Sequence, residues 1–265
     1  MKKVTLHTLQ QQKLNKEPFA VLTAYDATFA KLIESAGVEV ILVGDSLGNV
    51  IQGQKSTVPV TMDHMCYHVE NVARGVSTTL IIADMPYMSY ATTEQTFHNA
   101  ARLMQAGANM VKVEGGSWLN DTIEGLTQRG IPVCGHLGLT PQSVDALGGY
   151  KVQGRDDAQA EKLLNDAKSL EKSGASLLVL ECVPSALAKK VSEALSIPVI
   201  GIGAGSDCDA QVLVLHDMLG LNEEFQPKFV ENFMALAKGN VKDAIELFVK
   251  QVKDRSFPAE KHSFN

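Results

Sequence analysis

The stretch "ESAGVEVILVGD" (residues 34–45) has a pattern that occurs twice more, as "MQAGANMVKVE" (104–114) and "EKSGASLLVLE" (171–181). In each copy a helical segment reaches a glycine, and an apolar run then leads to an acidic residue. The three glycines are Gly37, Gly107 and Gly174. Glycine is favoured as a helix C-terminal cap because it adopts left-handed backbone conformations at little cost. The repeat therefore predicts helix–strand units whose strands end on an acid.

Eight short runs along the chain are rich in Val, Ile and Leu. They cover residues 19–26, 38–45, 79–84, 109–114, 131–136, 176–181, 197–203 and 211–217. Nearly continuous apolar runs are typical of parallel strands that are buried on both faces. Helical patterns lie between the runs, and this alternation predicts an α/β fold with a parallel sheet. Eight such units favour a (β/α)8 TIM barrel, with an open doubly wound sheet as the alternative.

The domain organisation follows from the same pattern. The chain has 265 residues and no Pro/Gly/Ser-rich linker, so we expect one barrel domain over residues 1–265. Residues 1–18 are predicted to form an N-terminal helix, and residues 222–265 are predicted to hold extra C-terminal helices and a tail. Two long connections, 46–61 and 137–156, follow predicted strands and are expected to lie over the site as loops or lids.

The composition limits the partners. The formal net charge is −6 and the sequence pI is about 5.7, which argues against a nucleic-acid or membrane-surface partner. No apolar stretch is long enough to cross a bilayer, and the N-terminal residues lack the apolar core of a signal peptide. The four cysteines show no CxxC spacing, so we expect reduced thiols and a cytoplasmic location.

Polar residues stand at the ends of the predicted strands. They are Asp45, Ser46, Asp84, Lys112, Glu114, His136 and Glu181. In a barrel the carboxyl ends of all strands meet at one mouth, where barrel enzymes build their active sites. Lys112 and Glu114 are two apart on one strand and should project to the same face. The alternative is that these are ordinary strand-end residues that face solvent.

Acids that converge at one mouth would repel one another, and a bound cation would relieve the repulsion. Oxygen ligands without a nearby cysteine or histidine pair favour Mg²⁺ over zinc. A site that combines a cation with Lys112 suits a small anionic substrate such as a 2-oxo acid, whose enolate the metal would stabilise. Glu181 is followed by Cys182, Val183 and Pro184, and so has no serine or lysine neighbour. We therefore expect it to be the base rather than a metal ligand.

Seven short stretches of the sequence together resemble a known protein family. They are "LTAYD", "VGDSLG", "GANMVKVEGG", "PVCGHLGLTPQS", "GGYKVQGR", "LLVLECVP" and "IPVIGIGAG". Together they resemble the ketopantoate hydroxymethyltransferase family, and the resemblance runs from about residue 19 to the final "HSFN". One departure is Ala210, where the family is expected to have glycine; this puts only a local turn in doubt.

The resemblance implies a (β/α)8 barrel of the phosphoenolpyruvate/pyruvate class. It implies transfer of a hydroxymethyl group from the co-substrate 5,10-methylenetetrahydrofolate to 3-methyl-2-oxobutanoate. The product would be 2-dehydropantoate, formed through a Mg²⁺-stabilised enolate, in pantothenate biosynthesis. One Mg²⁺ per subunit and a homo-oligomer, typically a decamer, are also implied.

The same resemblance implies roles for the site residues. Asp45 and Asp84 would bind Mg²⁺ and contact the substrate, with Glu114 as a further metal ligand or beside the metal's waters. Ser46 and Lys112 would hold the carboxylate of the 2-oxo acid. The two remaining residues are His136, which would line the substrate pocket, and Glu181, which would be the general base.

Two other functions use the same residues. A Mg²⁺-dependent 2-oxo-acid C–C lyase of the same superfamily would pass through the same enolate. Such lyases usually carry a catalytic cysteine or acid on a loop after a middle strand, and the 137–156 connection has no cysteine. A catalytically inactive barrel used for assembly is the third possibility, and the full set of acids argues against it.

Overall fold

The computed structural model describes residues 2–222 and 226–265. Eight parallel strands form a closed barrel in the order β1 to β8, so the predicted TIM barrel is confirmed and the open sheet is wrong. The strands are β1 (Phe19–Thr23), β2 (Val40–Val43), β3 (Leu80–Asp84), β4 (Met110–Glu114), β5 (Val133–Gly138), β6 (Leu177–Glu181), β7 (Val199–Ile202) and β8 (Ala210–Leu213). Residue 1 of the predicted N-terminal helix and residues 223–225 of the predicted C-terminal segment lie outside the described residues.

Twelve α-helices are found in the described part of the chain. They are α1 (Leu6–Asn15), α2 (Ala27–Ser35), α3 (Leu47–Val50), α4 (Met62–Gly75), α5 (Thr93–Ala106), α6 (Asn120–Gln128), α7 (Val144–Leu147), α8 (Asp157–Lys172), α9 (Ser185–Ala194), α10 (Leu215–Met218), α11 (Phe233–Ala237) and α12 (Val241–Lys253). The predicted N-terminal helix is α1, and the two predicted C-terminal helices are α11 and α12. None of the helices in residues 2–222 and 226–265 has the length and apolar character needed to span a bilayer.

The last predicted strand is too long at its C-terminal end. The apolar run 211–217 suggested a strand through Asp217, but β8 ends at Leu213 and α10 begins at Leu215. The chain turns here because the N–H of Leu215 donates a hydrogen bond to Thr23 Oγ1 (2.9 Å). Ala210, the residue that departs from the family pattern, starts β8 and is fully buried.

The glycines of the repeat end helices as predicted. Gly37, Gly107 and Gly174 have φ angles of 92°, 115° and 105°. These values lie in the left-handed region, where a residue with a Cβ would be strained. Each glycine thus turns the chain from a helix into the following strand.

Side chains alternate along each strand between two apolar layers. In β6, Leu178 and Leu180 pack outward against the helices, whereas Leu177 and Val179 belong to the cluster that fills the barrel. Leu9 of α1 joins this inner cluster, and α1 reaches the N-terminal strand ends through Lys13, which pairs with Asp209 at 2.7 Å. The helix therefore closes the barrel at the end opposite its mouth.

Candidate active site

The predicted site residues continue the inward-facing positions of their strands. In β3, Asp84 follows Leu80 and Ile82; in β4, Lys112 and Glu114 follow Met110. Because side chains alternate with a period of two, these polar groups point into the barrel at its carboxyl end. The same holds for His136 in β5 and Glu181 in β6, and Asp45 and Ser46 come directly after β2. All seven predicted residues line one cavity of about 420 Å³.

One lysine lies among the acids of this cavity. Lys112 Nζ is 2.9 Å from Asp84 Oδ1 and 3.7 Å from Glu114 Oε1, and the three side chains are almost completely buried. The contact with Oδ1 is an ion pair without hydrogen-bond alignment. The other oxygen of Asp84 accepts a hydrogen bond from the N–H of Asp45 (3.0 Å). These contacts hold the ends of β2, β3 and β4 together.

The charges in this group are unbalanced. Burial raises the pKa of Asp45 well above its usual value, and repulsion from Asp84 and Glu114 adds to the rise. Burial would lower the pKa of Lys112, but Asp84, Glu114 and Asp45 more than offset this and raise it. The lysine therefore stays protonated, and the three acids that raise its pKa, Asp84, Glu114 and Asp45, outnumber it.

His136 connects two of the acids. Its Nδ1 lies 3.2 Å from Glu114 Oε1, and its Nε2 lies 3.4 Å from Glu181 Oε2. Burial and Lys112 would lower the pKa of His136, yet its contacts with Glu114 and Glu181 raise it to about 9. Burial would raise the pKa of Glu114, but the hydrogen bond and charge of His136, with Lys112, lower it. Sequence alone left Glu181 without a partner; the fold supplies one from the neighbouring strand.

Gln142 and Tyr90 are parts of the site that the sequence did not reveal. Gln142 Nε2 donates to Asp45 Oδ2 (2.8 Å) and to the carbonyl of Met85 (2.9 Å), and its N–H donates to Glu114 Oε2 (3.0 Å). The hydroxyl of Tyr90 donates to Gln142 Oε1 (2.6 Å). Gln142 is a neutral residue in the 137–156 connection, so no charge or strand pattern marks it. The only sequence signal is its place in the string "PVCGHLGLTPQS".

Two further details shape the site. Ser46 Oγ lies 2.9 Å from the hydroxyl of the buried Tyr25, so the serine is oriented from the segment that follows β1. Cys182, directly after Glu181, has a φ of 47°, which is strained for a residue with a side chain. Its N–H donates to the carbonyl of Ile202 (2.9 Å), and its carbonyl accepts from the N–H of Gln153 (2.9 Å). The strained turn fixes where β6 ends and hence where Glu181 stands.

The donor chemistry of the site fits a magnesium ion. Asp45 and Asp84 offer only oxygen donors, and the crowding of Asp45 by other acids favours a cation there. Across residues 2–222 and 226–265, no group of three or more His, Cys, Asp or Glu side chains is placed to hold a metal ion. Mg²⁺ commonly takes only one or two carboxylates and keeps several waters. The oxygens of Glu114 contact His136 and the N–H of Gln142, so its direct ligation stays a prediction.

The fold and the site define a class: a (β/α)8 barrel with an acid-lined mouth, whose fold is shared by solved barrels of the phosphoenolpyruvate mutase/isocitrate lyase superfamily. A phosphonopyruvate hydrolase solved with oxalate and Mg²⁺ has a TM-score of 0.63 at 14% identity, covering 99% of this chain and 93% of that one. A 2,3-dimethylmalate lyase described as a member of that superfamily has a TM-score of 0.60 at 17% identity, covering 82% of each chain. At this level of identity the likeness concerns the fold.

Sequence comparison identifies the family within this class. The family model described as ketopantoate hydroxymethyltransferase matches residues 3–260. Proteins named 3-methyl-2-oxobutanoate hydroxymethyltransferase from Erwinia tasmaniensis and Alteromonas mediterranea are 59% and 57% identical over 264 residues, covering all of this chain and of each relative. The chain belongs to the ketopantoate hydroxymethyltransferase family, a family of transferase enzymes, and the resemblance found in the sequence is confirmed.

Proposed function

We propose that the protein transfers a hydroxymethyl group from 5,10-methylenetetrahydrofolate to 3-methyl-2-oxobutanoate and forms 2-dehydropantoate, a step of pantothenate biosynthesis. The observation that carries this proposal is the position of Lys112 between Asp84 and Glu114, with Glu181 facing the same cavity. A lysine cation in an acid-lined cavity suits a 2-oxo acid, and a carboxylate in the same cavity suits removal of its C3 proton. Family membership supports the same reaction.

Asp45 and Asp84 would hold one Mg²⁺ per subunit. When bound, the metal supplies Lewis-acid polarisation of the keto oxygen, which makes the neighbouring C–H more acidic. Gln142 and the N–H of Asp45 keep the two carboxylates in place through their hydrogen bonds. Glu114 would be a further ligand or would lie beside the metal's waters, and contacts with His136 and Gln142 orient it.

Lys112 and Ser46 would bind the carboxylate of the 2-oxo acid. Lys112 contributes charge, and Ser46 contributes a hydroxyl that Tyr25, just after β1, orients. A substrate held at both its carboxylate and its keto oxygen cannot rotate freely, so its C3 proton is presented in one direction.

Glu181 would be the general base, oriented by His136. Its carboxylate accepts the C3 proton, and the resulting enolate carbon forms a C–C bond with the methylene carbon of the folate. The two methylene–nitrogen bonds of the folate break, and water supplies the hydroxyl group. The C3 proton taken by Glu181 and the remaining proton of the water go to the two folate nitrogens, so that tetrahydrofolate is released.

We also propose the wider setting. Residues 1–265 would form one domain, and the chain would assemble as a homo-oligomer, with a decamer implied by the family resemblance. It would act in the cytoplasm on a 2-oxo acid and folate, without a nucleic-acid or membrane partner. The net charge of −6 and four unpaired cysteines in the described residues support this setting.

Incubation with Mg²⁺ and 3-methyl-2-oxobutanoate in D₂O tests the chemistry. We expect the C3 proton to exchange with solvent, and 2-dehydropantoate to form when 5,10-methylenetetrahydrofolate is added. No exchange with or without folate would overturn the enolate mechanism. Cleavage of a C–C bond of the 2-oxo acid instead of hydroxymethyl transfer would identify the lyase alternative.

A further inference from the structure

The cavity has two chemically different walls. Strands β2 to β6 place the acids, Lys112 and His136 on one wall. The inward-facing positions of β7 and β8 carry Ile202 and Val212, and these apolar residues line the same cavity. The barrel register pairs Glu181 with Ile202, so the apolar wall begins next to the proposed base.

Two phenylalanines extend this apolar wall beyond the strands. Phe229 and Phe264 line the cavity and pack over the backbone of Gly203, where an added Cβ would lie 2.9 Å from Phe229 and 3.1 Å from Phe264. Gly203 has a φ of 60°, so both the packing and the backbone conformation favour glycine there. The two rings thus rest on the turn that follows β7.

Main-chain contacts fix the position of Phe264. Its carbonyl accepts hydrogen bonds from the N–H (2.9 Å) and Oγ (3.1 Å) of Ser185, at the start of α9. Lys228 Nζ donates to the carbonyl of Ser263 (2.5 Å) and lies 5.2 Å from the centre of the Phe264 ring. Ser185 is four residues beyond Glu181 in the chain, so Phe264 is anchored to the segment that follows β6, and it lines the same cavity as Glu181.

The cavity is larger than the 2-oxo acid alone requires. A volume of about 420 Å³ lies in the range that holds drug-sized ligands, whereas 3-methyl-2-oxobutanoate is a much smaller molecule. Its carboxylate and keto oxygen belong at the charged wall. The apolar wall offers no group for either, and so remains available to the second reactant.

We propose that Phe229 and Phe264, with Ile202 and Val212, form the surface that binds the pterin ring system of the folate. This inference rests on the proposed function. A flat ring system stacks well on aromatic side chains, and a pterin at this wall brings its methylene carbon towards the substrate carbon that Glu181 deprotonates. The exposed Lys228 at the rim of the cavity is suited to the anionic glutamate tail.

Calorimetric titration with tetrahydrofolate, in the presence of Mg²⁺ and 3-methyl-2-oxobutanoate, tests the proposal. The variants Phe264→Leu and Phe229→Leu keep an apolar side chain but remove the ring. We expect each to weaken tetrahydrofolate binding by about tenfold, which is ~1.4 kcal/mol, because stacking on the aromatic ring is lost. Tyr67→Leu, at an exposed tyrosine of α4 outside the cavity, is the matched control and should bind as the wild type does.

A parallel titration with 3-methyl-2-oxobutanoate and Mg²⁺ tests whether the variants affect only the apolar wall. Both phenylalanine variants should bind 3-methyl-2-oxobutanoate with wild-type affinity. Normal tetrahydrofolate binding by both variants would overturn the inference and leave the proposed function standing. Parallel loss of tetrahydrofolate and 2-oxo-acid binding would overturn it too, because the rings would then support the fold or the charged wall. A wild-type protein that binds no tetrahydrofolate would overturn the proposed function together with the inference.

Discussion

Acidic residues lie at both ends of the barrel, but they have different partners. At the N-terminal end, Glu34 at the end of α2 accepts hydrogen bonds from three successive N–H groups of residues 77–79, at 2.6–3.0 Å. Glu171 at the end of α8 accepts from the N–H groups of Ser196 (2.7 Å) and Ile197 (3.1 Å). Both carboxylates join a helix end to the segment that leads into a strand, β3 or β7.

At the mouth the acids contact one another instead. Asp45, Asp84 and Glu114 surround Lys112, and the pKa of Asp45 is raised by burial and by the neighbouring acids. Such crowding costs stability unless a ligand offsets it. The first and third copies of the repeated segment therefore carry two kinds of acid. The acid three residues before the glycine, Glu34 or Glu171, stabilises the fold, and the acid at the carboxyl end of the strand belongs to the site.

The largest expected effect is at the mouth. Glu181→Gln should lower kcat by about 100- to 10,000-fold, because an amide cannot accept the C3 proton. Affinities for Mg²⁺ and 3-methyl-2-oxobutanoate should be retained. Steady-state kinetics and calorimetry measure the two quantities, and a collapse of Mg²⁺ affinity would show that Glu181 is a metal ligand.

The next effect concerns the metal. Asp84→Asn should weaken Mg²⁺ binding by at least about 10- to 100-fold. That is the usual loss of affinity when a residue that only orients a metal ligand is removed, and removal of a ligand itself should cost more. Asp209→Asn is the matched control at the N-terminal end, where Asp209 accepts from the N–H of Val199 (2.8 Å). The control should bind Mg²⁺ normally and unfold more easily. Unchanged Mg²⁺ affinity in Asp84→Asn would contradict the assignment.

A smaller effect is expected at Gln142. Gln142→Leu removes the amide that holds Asp45 Oδ2 and should weaken Mg²⁺ affinity by about tenfold, as other orienting groups of metal ligands do. The main-chain hydrogen bond to Glu114 is kept in this variant. Gln153→Leu, which removes an amide of the same connection that donates to the carbonyl of Lys151, is the control. Equal Mg²⁺ affinities for the two variants would show that the amide does not orient Asp45.

The smallest effect is expected for a substitution of Glu34, at the N-terminal end of the barrel. Burial alone would raise the pKa of Glu34, but its hydrogen bonds from Thr78, Ser77 and Thr79 lower it to about 2 from an ordinary 4.5. A lowered folded-state pKa stabilises the protein above the unfolded value and loses that contribution as the pH falls towards 2.

Glu34→Gln should therefore lower the free energy of unfolding at pH 7 by on the order of 1 kcal/mol, after allowance for the exposure of this side chain. The difference from wild type should shrink between about pH 4.5 and pH 2. Urea unfolding at several pH values measures it, and kcat should not change. A difference that is constant with pH would exclude the ionised carboxylate as the stabilising group.

The sequence predicted the parts of the molecule that depend on local pattern. Gly107 could be predicted to end a helix because glycine adopts left-handed backbone conformations easily. Lys112 and Glu114 could be predicted to share a face because side chains alternate along a strand. The convergence of Asp45 and Asp84 followed from the barrel, whose strand ends must meet.

The contacts that the sequence could not provide are those between distant segments. Gln142 reaches Asp45 across 97 positions, and no property of a single amide in a loop indicates that. The contact between His136 and Glu181 depends on the register of β5 and β6. Glu34 and Glu171 stand at equivalent places in two copies of the repeat, yet their main-chain partners became evident only once neighbouring strands were in place.

The most direct test of the contrast between the two ends is to measure C3 proton exchange in D₂O and the free energy of unfolding for Glu181→Gln and Glu171→Gln side by side. Glu181→Gln should lose exchange by about 100-fold or more and keep wild-type stability. Glu171→Gln should keep wild-type exchange and lose stability. Wild-type exchange in Glu181→Gln, or loss of exchange in a folded Glu171→Gln, would contradict the division between acids that catalyse at the mouth and acids that hold the N-terminal end together.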